Sequence, residues 1–183
     1  MTKLIAVSGS LRKDSFNTKL AHEFKRLAPT GIEVEVATLH GIPLYDGDLE
    51  SEQGIPAAVQ ALHDKLAAAD GVLWVTPEYN ASMPGVMKNA FDWLSRVERG
   101  AMLRGLRITL AGASMGGFGS VLGQEAWLHP FRRCGCEFFA GGAVYVSKAQ
   151  DAYDENGHFK DARSADSAVG VMDDFAAWIK ANS

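Results

Sequence analysis

The sequence predicts an α/β fold in which a doubly wound, open parallel sheet carries helices on both faces. Short apolar runs alternate with longer segments of helical periodicity throughout the 183 residues, as in consecutive strand–helix–strand units. The run Gly71–Thr76 is apolar at successive positions, which is typical of a central strand covered on both faces. We therefore expect five strands and five helices, in a single domain that spans residues 1–183.

The apolar runs define the predicted strands. Strand two alternates branched apolar residues with glutamates, so we expect a half-exposed strand at the edge of the sheet. Strand five contains Gly141 and Gly142, which predict a bulge or a close backbone approach. In chain order the predicted strands are Lys3–Val7, Ile32–Ala37, Gly71–Thr76, Leu106–Ala111 and Phe138–Val146.

Helical periodicity and end signals define the predicted helices. Ser82 is expected to cap the third helix with Pro84 in its first turn, and Gly135 is expected to end the fourth. The segment 40–54 is predicted to be a loop, and 150–162 contains the turn signal Asp154–Gly157. In chain order the predicted helices are Thr18–Leu27, Pro56–Ala68, Pro84–Arg96, Ser120–Arg133 and Ser164–Ala181.

Composition excludes several classes of function. The net charge is −4 and no block of Lys or Arg occurs, which argues against a nucleic-acid partner. No apolar run approaches the length of a membrane span, and the sequence opens directly into a strand, so we expect no signal peptide. Cys134 and Cys136 form neither a disulfide framework nor a zinc motif. We expect no metal site, and reduced thiols in a cytoplasmic protein.

A loop rich in hydroxyl groups joins the first strand to the first helix. Ser10, Ser15 and Thr18 offer hydroxyl groups, Asn17 offers an amide, and Arg12 offers a planar cationic fork. Together with the N–H groups at a helix N-terminus, these groups favour a phosphate ligand. The alternative is a polar turn that only caps the helix. Neither a dinucleotide fingerprint nor a Walker A motif is present, so we expect a terminal monophosphate.

Two further loops follow strands three and four, at the same edge of the sheet. The loop 76–85 carries two prolines and an exposed aromatic residue, and the loop 113–120 carries three glycines. A stiff backbone beside an aromatic ring, with glycines that permit close approach, suits a flat heteroaromatic ligand. Because ligands of such sheets bind beyond the carboxyl ends of the strands, we expect the three loops to form one site.

These loops resemble those of the NADPH-dependent FMN reductases. The segment 8–17 resembles the family's phosphate loop G-S-x-R-x-x-S-x-N, and 77–93 resembles its segment P-E-Y-N-x-S-x-P-G-x-L-K-N-A-x-D-W. The resemblance extends over the whole chain in element order. It implies a flavodoxin-like three-layer sandwich with strand order 2-1-3-4-5, and FMN bound between strands one and three.

The resemblance also implies roles for individual residues. The residues assigned to the FMN phosphate are Ser10, Arg12, Ser15, Asn17 and Thr18. Those assigned to the isoalloxazine ring and its edge are Pro77, Glu78, Tyr79, Asn80 and Ser82. Those expected to approach the ring or the ribityl chain from the third loop are Ser114, Gly116 and Gly117. No side chain is assigned as a general acid or base.

The activity implied by the resemblance is a ping-pong oxidoreduction. NADPH or NADH would deliver hydride to FMN, and a quinone, a free flavin, an azo dye or a metal oxyanion would then be reduced. The family forms dimers or tetramers, so we expect a homo-oligomer without a nucleic-acid partner or a membrane span.

Two alternatives remain open from the sequence alone. The segment 112–116 matches the nucleophile motif G-x-S-x-G, with Asp154 and His158 downstream, which would make Ser114 the nucleophile of a serine hydrolase. Against this, further glycines prolong the loop where a nucleophile elbow should turn into a helix. The second alternative is a flavodoxin-like carrier that passes single electrons to protein partners and does not turn over NADPH.

Overall fold

The structure, a computed structural model, describes residues 1–182 and has a parallel sheet at its centre. Its strands lie in the order β2-β1-β3-β4-β5, with β6 also paired to β4, and every pairing is parallel. The strands are β1 (Thr2–Ser8), β2 (Ile32–Ala37), β3 (Gly71–Val75), β4 (Arg107–Ala113), β5 (Glu137–Phe138) and β6 (Val144–Val146). The predicted strand order is confirmed, and β2 lies at the predicted edge.

Helices cover both faces of this sheet. They are α1 (Phe16–Arg26), α2 (Gly47–Gln53), α3 (Ala57–Ala67), α4 (Gly85–Leu94), α5 (Val121–Cys134), α6 (Ala149–Ala152) and α7 (Ala162–Ala181). Alternation along β1 separates two cores: Leu4 packs with residues of α1 and α7, whereas Ile5 packs with residues of α3, α4 and α5. Within residues 1–182, no helix is both long and apolar enough to cross a membrane.

The segment 40–54, predicted to be a loop, contains the helix α2. Asp46 caps it by accepting a hydrogen bond from the N–H of Asp48 at 2.9 Å, and acidic side chains in its first turn complement the helix dipole. None of its residues is buried. Because α2 has no apolar face, the hydrophobic period that identified the other helices is absent from its sequence.

The prediction of a continuous fifth strand is wrong. Two short strands, β5 and β6, pair with different parts of β4, and the chain between them leaves the ladder. The ring of Phe139 turns over Gly141, where a Cβ would lie 2.4 Å from the ring, and Thr109 donates a hydrogen bond to the carbonyl of Gly142 at 3.2 Å. The glycines therefore mark a break in the strand, which allows a core side chain to pack there.

Candidate functional site

The loops after β1, β3 and β4 meet at the carboxyl edge of the sheet and enclose a cleft of about 520 Å³. The cleft is lined by Ser10, Arg12, Ser15, Phe16, Asn17, Pro77, Glu78, Tyr79, Ala113, Ser114, Met115 and Gly116. Nine of the residues predicted for the site are in this lining. Asn80, Ser82 and Gly117 belong to the same loops and Thr18 to the first turn of α1, but these four residues are not part of the lining.

The N-terminus of α1 opens at this cleft. Ser15 is its N-cap, and its hydroxyl oxygen accepts hydrogen bonds from the N–H groups of Asn17 and Thr18 at 3.2 and 3.4 Å. The capping predicted as an alternative therefore occurs, and it places the positive end of the helix dipole beside the cleft lining. An anion in the cleft is favoured by this dipole.

Arg12 brings an uncompensated positive charge to the cleft. Within residues 1–182 its guanidinium takes part in no ion pair, and it lies over the ring of Phe16, 5.2 Å from the ring centroid. The backbone N–H of Arg12 donates to the hydroxyl oxygen of Ser10 at 3.3 Å. A free guanidinium is the group best suited to a bidentate contact with a phosphate.

Asn17 connects the first loop to the third. Its amide nitrogen donates to the carbonyl of Ala113 at 2.9 Å, and its amide oxygen accepts from the N–H of Ala113 at 2.9 Å. Thr18 shares a hydrogen bond of 2.8 Å between its hydroxyl and that of Ser8. Both side chains, predicted as phosphate ligands, are thus engaged within the protein, where they hold the first loop and the start of α1 against β1 and β4.

The second loop contains a tight turn. Tyr79 and Ser82 exchange backbone hydrogen bonds of 3.0 and 3.1 Å, and Asn80 and Ala81 between them have φ values of +51° and +58°. Two consecutive positive φ values define a type I′ turn. The expected N-cap at Ser82 is wrong: α4 starts at Gly85, and the capping position before it belongs to a proline with no side-chain cap.

Glu78 ties the second loop to α5. Its Oε2 atom accepts a hydrogen bond of 3.0 Å from the N–H of Gly123, in the first turn of α5, where the helix dipole favours a carboxylate. A Cβ at Gly123 would lie 2.8 Å from the carbonyl oxygen of Pro77. Glycine at this position therefore lets the helix approach the loop, a requirement that no sequence motif indicated.

The third loop is fixed at one end and exposed at its tip. The N–H of Ser114 donates to the carbonyl of Val146 at 3.0 Å, and the carbonyl of Gly116 accepts from the N–H of Lys148 at 2.9 Å. Beyond these contacts Met115 and Phe118 are 67% and 83% exposed. Glycine backbone and one exposed apolar side chain therefore form this wall of the cleft.

The second half of the Pro77–Trp93 motif supports a neighbouring segment. Asn89 and Trp93 both donate side-chain hydrogen bonds to the carbonyl of Pro43, at 2.8 and 2.9 Å. Asn89 also accepts from the N–H of Tyr45 at 2.8 Å. These residues hold the chain before α2 against α4 and do not line the cleft.

The hydrolase alternative is not supported by the geometry. Ser114 lines the cleft, whereas His158 lines a different groove together with His22 and Arg26. The carboxylate of Asp154 accepts the backbone N–H of His158 at 2.8 Å. The nucleophile, base and acid required for a triad are therefore not assembled.

Comparison with known proteins agrees with the geometry. Residues 2–151 match the family described as NADPH-dependent FMN reductase. The chain is 35% identical over 178 residues to a 2-hydroxy-1,4-benzoquinone reductase of a Burkholderia species, covering 97% of this chain and 96% of that protein. It is 34% identical to an NAD(P)H-dependent FMN reductase of Pseudomonas aeruginosa, covering 97% and 95% of the two chains.

A solved structure shares the whole fold. The flavoenzyme NAD(P)H:(acceptor) oxidoreductase FerB from Paracoccus denitrificans superimposes with a TM-score of 0.87 at 32% identity, covering 98% of each chain. The predicted flavodoxin-like fold, the predicted oxidoreductase class and FMN as the predicted cofactor are confirmed. With the family match extending over most of its length, this chain belongs to the NADPH-dependent FMN reductase family.

Proposed function

We propose that this protein is an NAD(P)H-dependent FMN oxidoreductase, folded as one domain, that reduces a small quinone. The observation that carries the proposal is the composition of the cleft. Within residues 1–182, an unpaired guanidinium, the N-cap of α1, a half-exposed tyrosine and a glycine line the same cleft. This donor set fits a ligand that has a phosphate at one end and a flat ring at the other.

The phosphate end is formed by the first loop. Arg12 supplies the charge-assisted hydrogen bonds, and Ser10 and Ser15 contribute hydroxyl groups at the N-terminus of α1. Asn17 and Thr18 do not contact the phosphate, because their side chains already form hydrogen bonds with Ala113 and with β1. Their part is to keep the loop and the helix N-terminus in place.

The ring end is formed by the second and third loops. The turn at 79–82 presents Tyr79 and Asn80, Pro77 and Glu78 supply rigid backbone, and Ser82 closes the turn. From the third loop Ser114, Gly116 and Gly117 approach with little side-chain bulk. Bound FMN supplies the hydride and electron transfer, so no side chain is required as a general acid or base.

The acceptor pocket favours a flat, apolar molecule. Tyr79 and Met115 border the cleft and are 51% and 67% exposed, so they offer apolar contact from two different loops. One open face serves the nicotinamide and the acceptor in turn, which predicts ping-pong kinetics. The quinone reductases among the relatives support a quinone over an azo dye or a metal oxyanion.

Anaerobic spectroscopy tests the proposed activity. We expect the protein to bind FMN, to lose the flavin absorbance when NADPH or NADH is added, and to regain it when a benzoquinone follows. Bound flavin that ignores both nicotinamides would identify an electron carrier. A protein that binds no flavin would refute the proposal, and labelling of Ser114 by a fluorophosphonate would restore the hydrolase.

Titration of one variant tests the assignment of the phosphate end. A charge-assisted hydrogen bond contributes about 1.5–3 kcal/mol, so Arg12→Ala should weaken FMN binding at least about tenfold. Lys13→Ala is the matched control, because Lys13 belongs to the same loop but is not part of the cleft lining. Equal FMN affinity in the two variants would remove Arg12 from the site.

We further propose a cytoplasmic homodimer or homotetramer. Leu122 and Leu128 on α5 are 47% and 42% exposed, which supports contact between copies through the face of α4 and α5. Light scattering coupled to size-exclusion chromatography should give a mass two or four times that of the 19.7 kDa chain. A monomeric mass at micromolar concentration would contradict this.

A further inference from the structure

Three aromatic rings stand in series behind Arg12. Its guanidinium carbon lies 5.2 Å from the centroid of the Phe16 ring. That ring is parallel to the ring of Tyr153, with centroids 6.2 Å apart and an interplanar angle of 6°. Tyr153 in turn stacks on Phe159 at 5.2 Å and 20°. We call these three rings the aromatic stack.

The aromatic stack is anchored at its far end. Tyr153 is buried, and the backbones of Tyr153 and Phe159 form an antiparallel bridge. The N–H of Phe159 donates to Oε2 of Glu23 at 2.8 Å, and the same oxygen accepts from Arg26 at 2.8 Å. The Glu23 carboxylate is almost fully buried on α1, the helix that begins at Phe16. The stack is thus bound to α1 at two places.

An aromatic support has an advantage over an acidic one at this position. A carboxylate beside Arg12 would hold the side chain but would also neutralise it and occupy its N–H groups. A ring face attracts the cation through its quadrupole and leaves both the charge and the N–H groups available. Tight binding of a phosphate in the cleft is favoured when the guanidinium is already oriented and has no other partner before the ligand arrives.

A second cation beside the aromatic stack differs in its surroundings. Lys19 lies 5.9 Å from the centroids of both Phe16 and Tyr153. It lines the neighbouring groove around His22, whereas Arg12 lines the cleft. Variants of Lys19 and Arg12 can therefore be compared. A general electrostatic effect on flavin binding would appear in both, whereas the effect of a positioned guanidinium would appear only at Arg12.

We propose that Phe16, supported by Tyr153, is a positioning residue that holds Arg12 for a phosphomonoester and thereby sets the preference for FMN over riboflavin. The proposal rests on the proposed function, in which Arg12 binds the phosphate. The sequence motif leaves position 16 unspecified, and the structure supplies the reason for an aromatic residue there.

The test is the ratio of riboflavin to FMN dissociation constants, measured by flavin fluorescence quenching on the apoprotein. Phe16→Leu should lower this ratio about two- to fivefold, the change expected when an exposed cation–π contact is lost. Phe16→Tyr retains an aromatic ring and should keep the wild-type ratio. Arg12→Ala should lower the ratio more, and adding Phe16→Leu to it should have no further effect. Thermal unfolding of each apoprotein accompanies the titrations.

Matched controls distinguish a failure of the inference about Phe16 from a failure of the phosphate assignment of Arg12. Lys19→Gln and Phe138→Leu, a half-buried ring of β5 outside the cleft, should keep the wild-type ratio. An unchanged ratio in Phe16→Leu, with a lowered ratio in Arg12→Ala, would overturn this inference and leave the proposed function standing. An unchanged ratio in Arg12→Ala would overturn the phosphate assignment itself. If Phe16→Leu fails to fold, Phe16→Met provides the same comparison.

Discussion

Replacing Asn17 by alanine should show whether this side chain stabilises the fold by joining two segments or acts only by binding the ligand. Asn17 is almost fully buried and exchanges two hydrogen bonds of 2.9 Å with the backbone of Ala113. Asn17→Ala leaves the N–H and the C=O of Ala113 without these partners, at about 1–3 kcal/mol for each orphaned group. We expect the free energy of unfolding to fall by about 2–6 kcal/mol. For a chain of this size the thermal midpoint should fall by roughly 4–24 °C.

Urea unfolding of the apoprotein, followed by tryptophan fluorescence, measures this change without a contribution from the flavin. Asn156→Ala is the matched control, because Asn156 is an exposed asparagine in a surface turn and its loss should cost less than about 0.5 kcal/mol. Stability of the Asn17→Ala apoprotein within about 0.5 kcal/mol of wild type would refute the reasoning. A loss that occurs only with FMN present would make Asn17 a ligand contact instead.

Three further predictions concern packing and protonation. Gly123→Ala should lower the free energy of unfolding by about 1–3 kcal/mol, because a Cβ would lie 2.8 Å from a backbone oxygen of the second loop. Its control is Gly170→Ala on α7, where a Cβ would meet open space, and which should raise the stability measured by thermal unfolding by about 0.5–1 kcal/mol. Burial raises the pKa of Glu23, but the hydrogen bonds from Arg26 and from the N–H of Phe159, together with the nearby positive charge of Arg26, outweigh it, and the net pKa lies below its ordinary 4.5. Its contribution to stability is therefore present above pH 4.5 and lost below it, and Glu23→Gln should remove this part of the pH dependence of urea unfolding. Burial raises the pKa of Cys136 to about 12, so iodoacetamide at pH 8 should modify it at least about a hundredfold more slowly in the native protein than in urea.

Each of these has a clear contrary outcome. Equal effects of the two glycine substitutions would show that α5 can move away from the second loop. An unaltered acid profile in Glu23→Gln would mean that the buried carboxylate does not link folding to pH. Fast alkylation of Cys136 in the native state would show that β5 opens readily, because its thiol would then meet solvent.

Local patterns in the sequence were sufficient to predict most of the architecture. Apolar alternation identified the strands, and right-handed crossovers with parallel pairing restrict their order to few choices. Where an element has no apolar period the prediction failed, as for α2, whose side chains are not buried. The split of strand five also escaped prediction, because the packing of Phe139 over Gly141 is set by the core and not by strand propensity.

The chemical groups available at the candidate site follow from motifs that are local in the sequence. The sequence specified which loops lie at the carboxyl edge, which hydroxyl, amide and guanidinium groups they carry, and which family they resemble. Motifs and the positions of strands along the chain depend on residues within a short distance in the sequence, so these features can be read from a linear sequence. The order of the strands in the sheet was implied by the family resemblance. The match over residues 2–151 confirmed the family.

The contacts that these groups make depend on segments far apart in the sequence. The tertiary structure turned Asn17 toward Ala113, 96 residues away, joined Glu78 to Gly123, and placed His158 in a different groove from Ser114. Arg12 is supported by rings that include Tyr153, far along the chain. These contacts depend on how side chains from distant segments pack together, and a pattern within a few residues of the sequence does not contain that information.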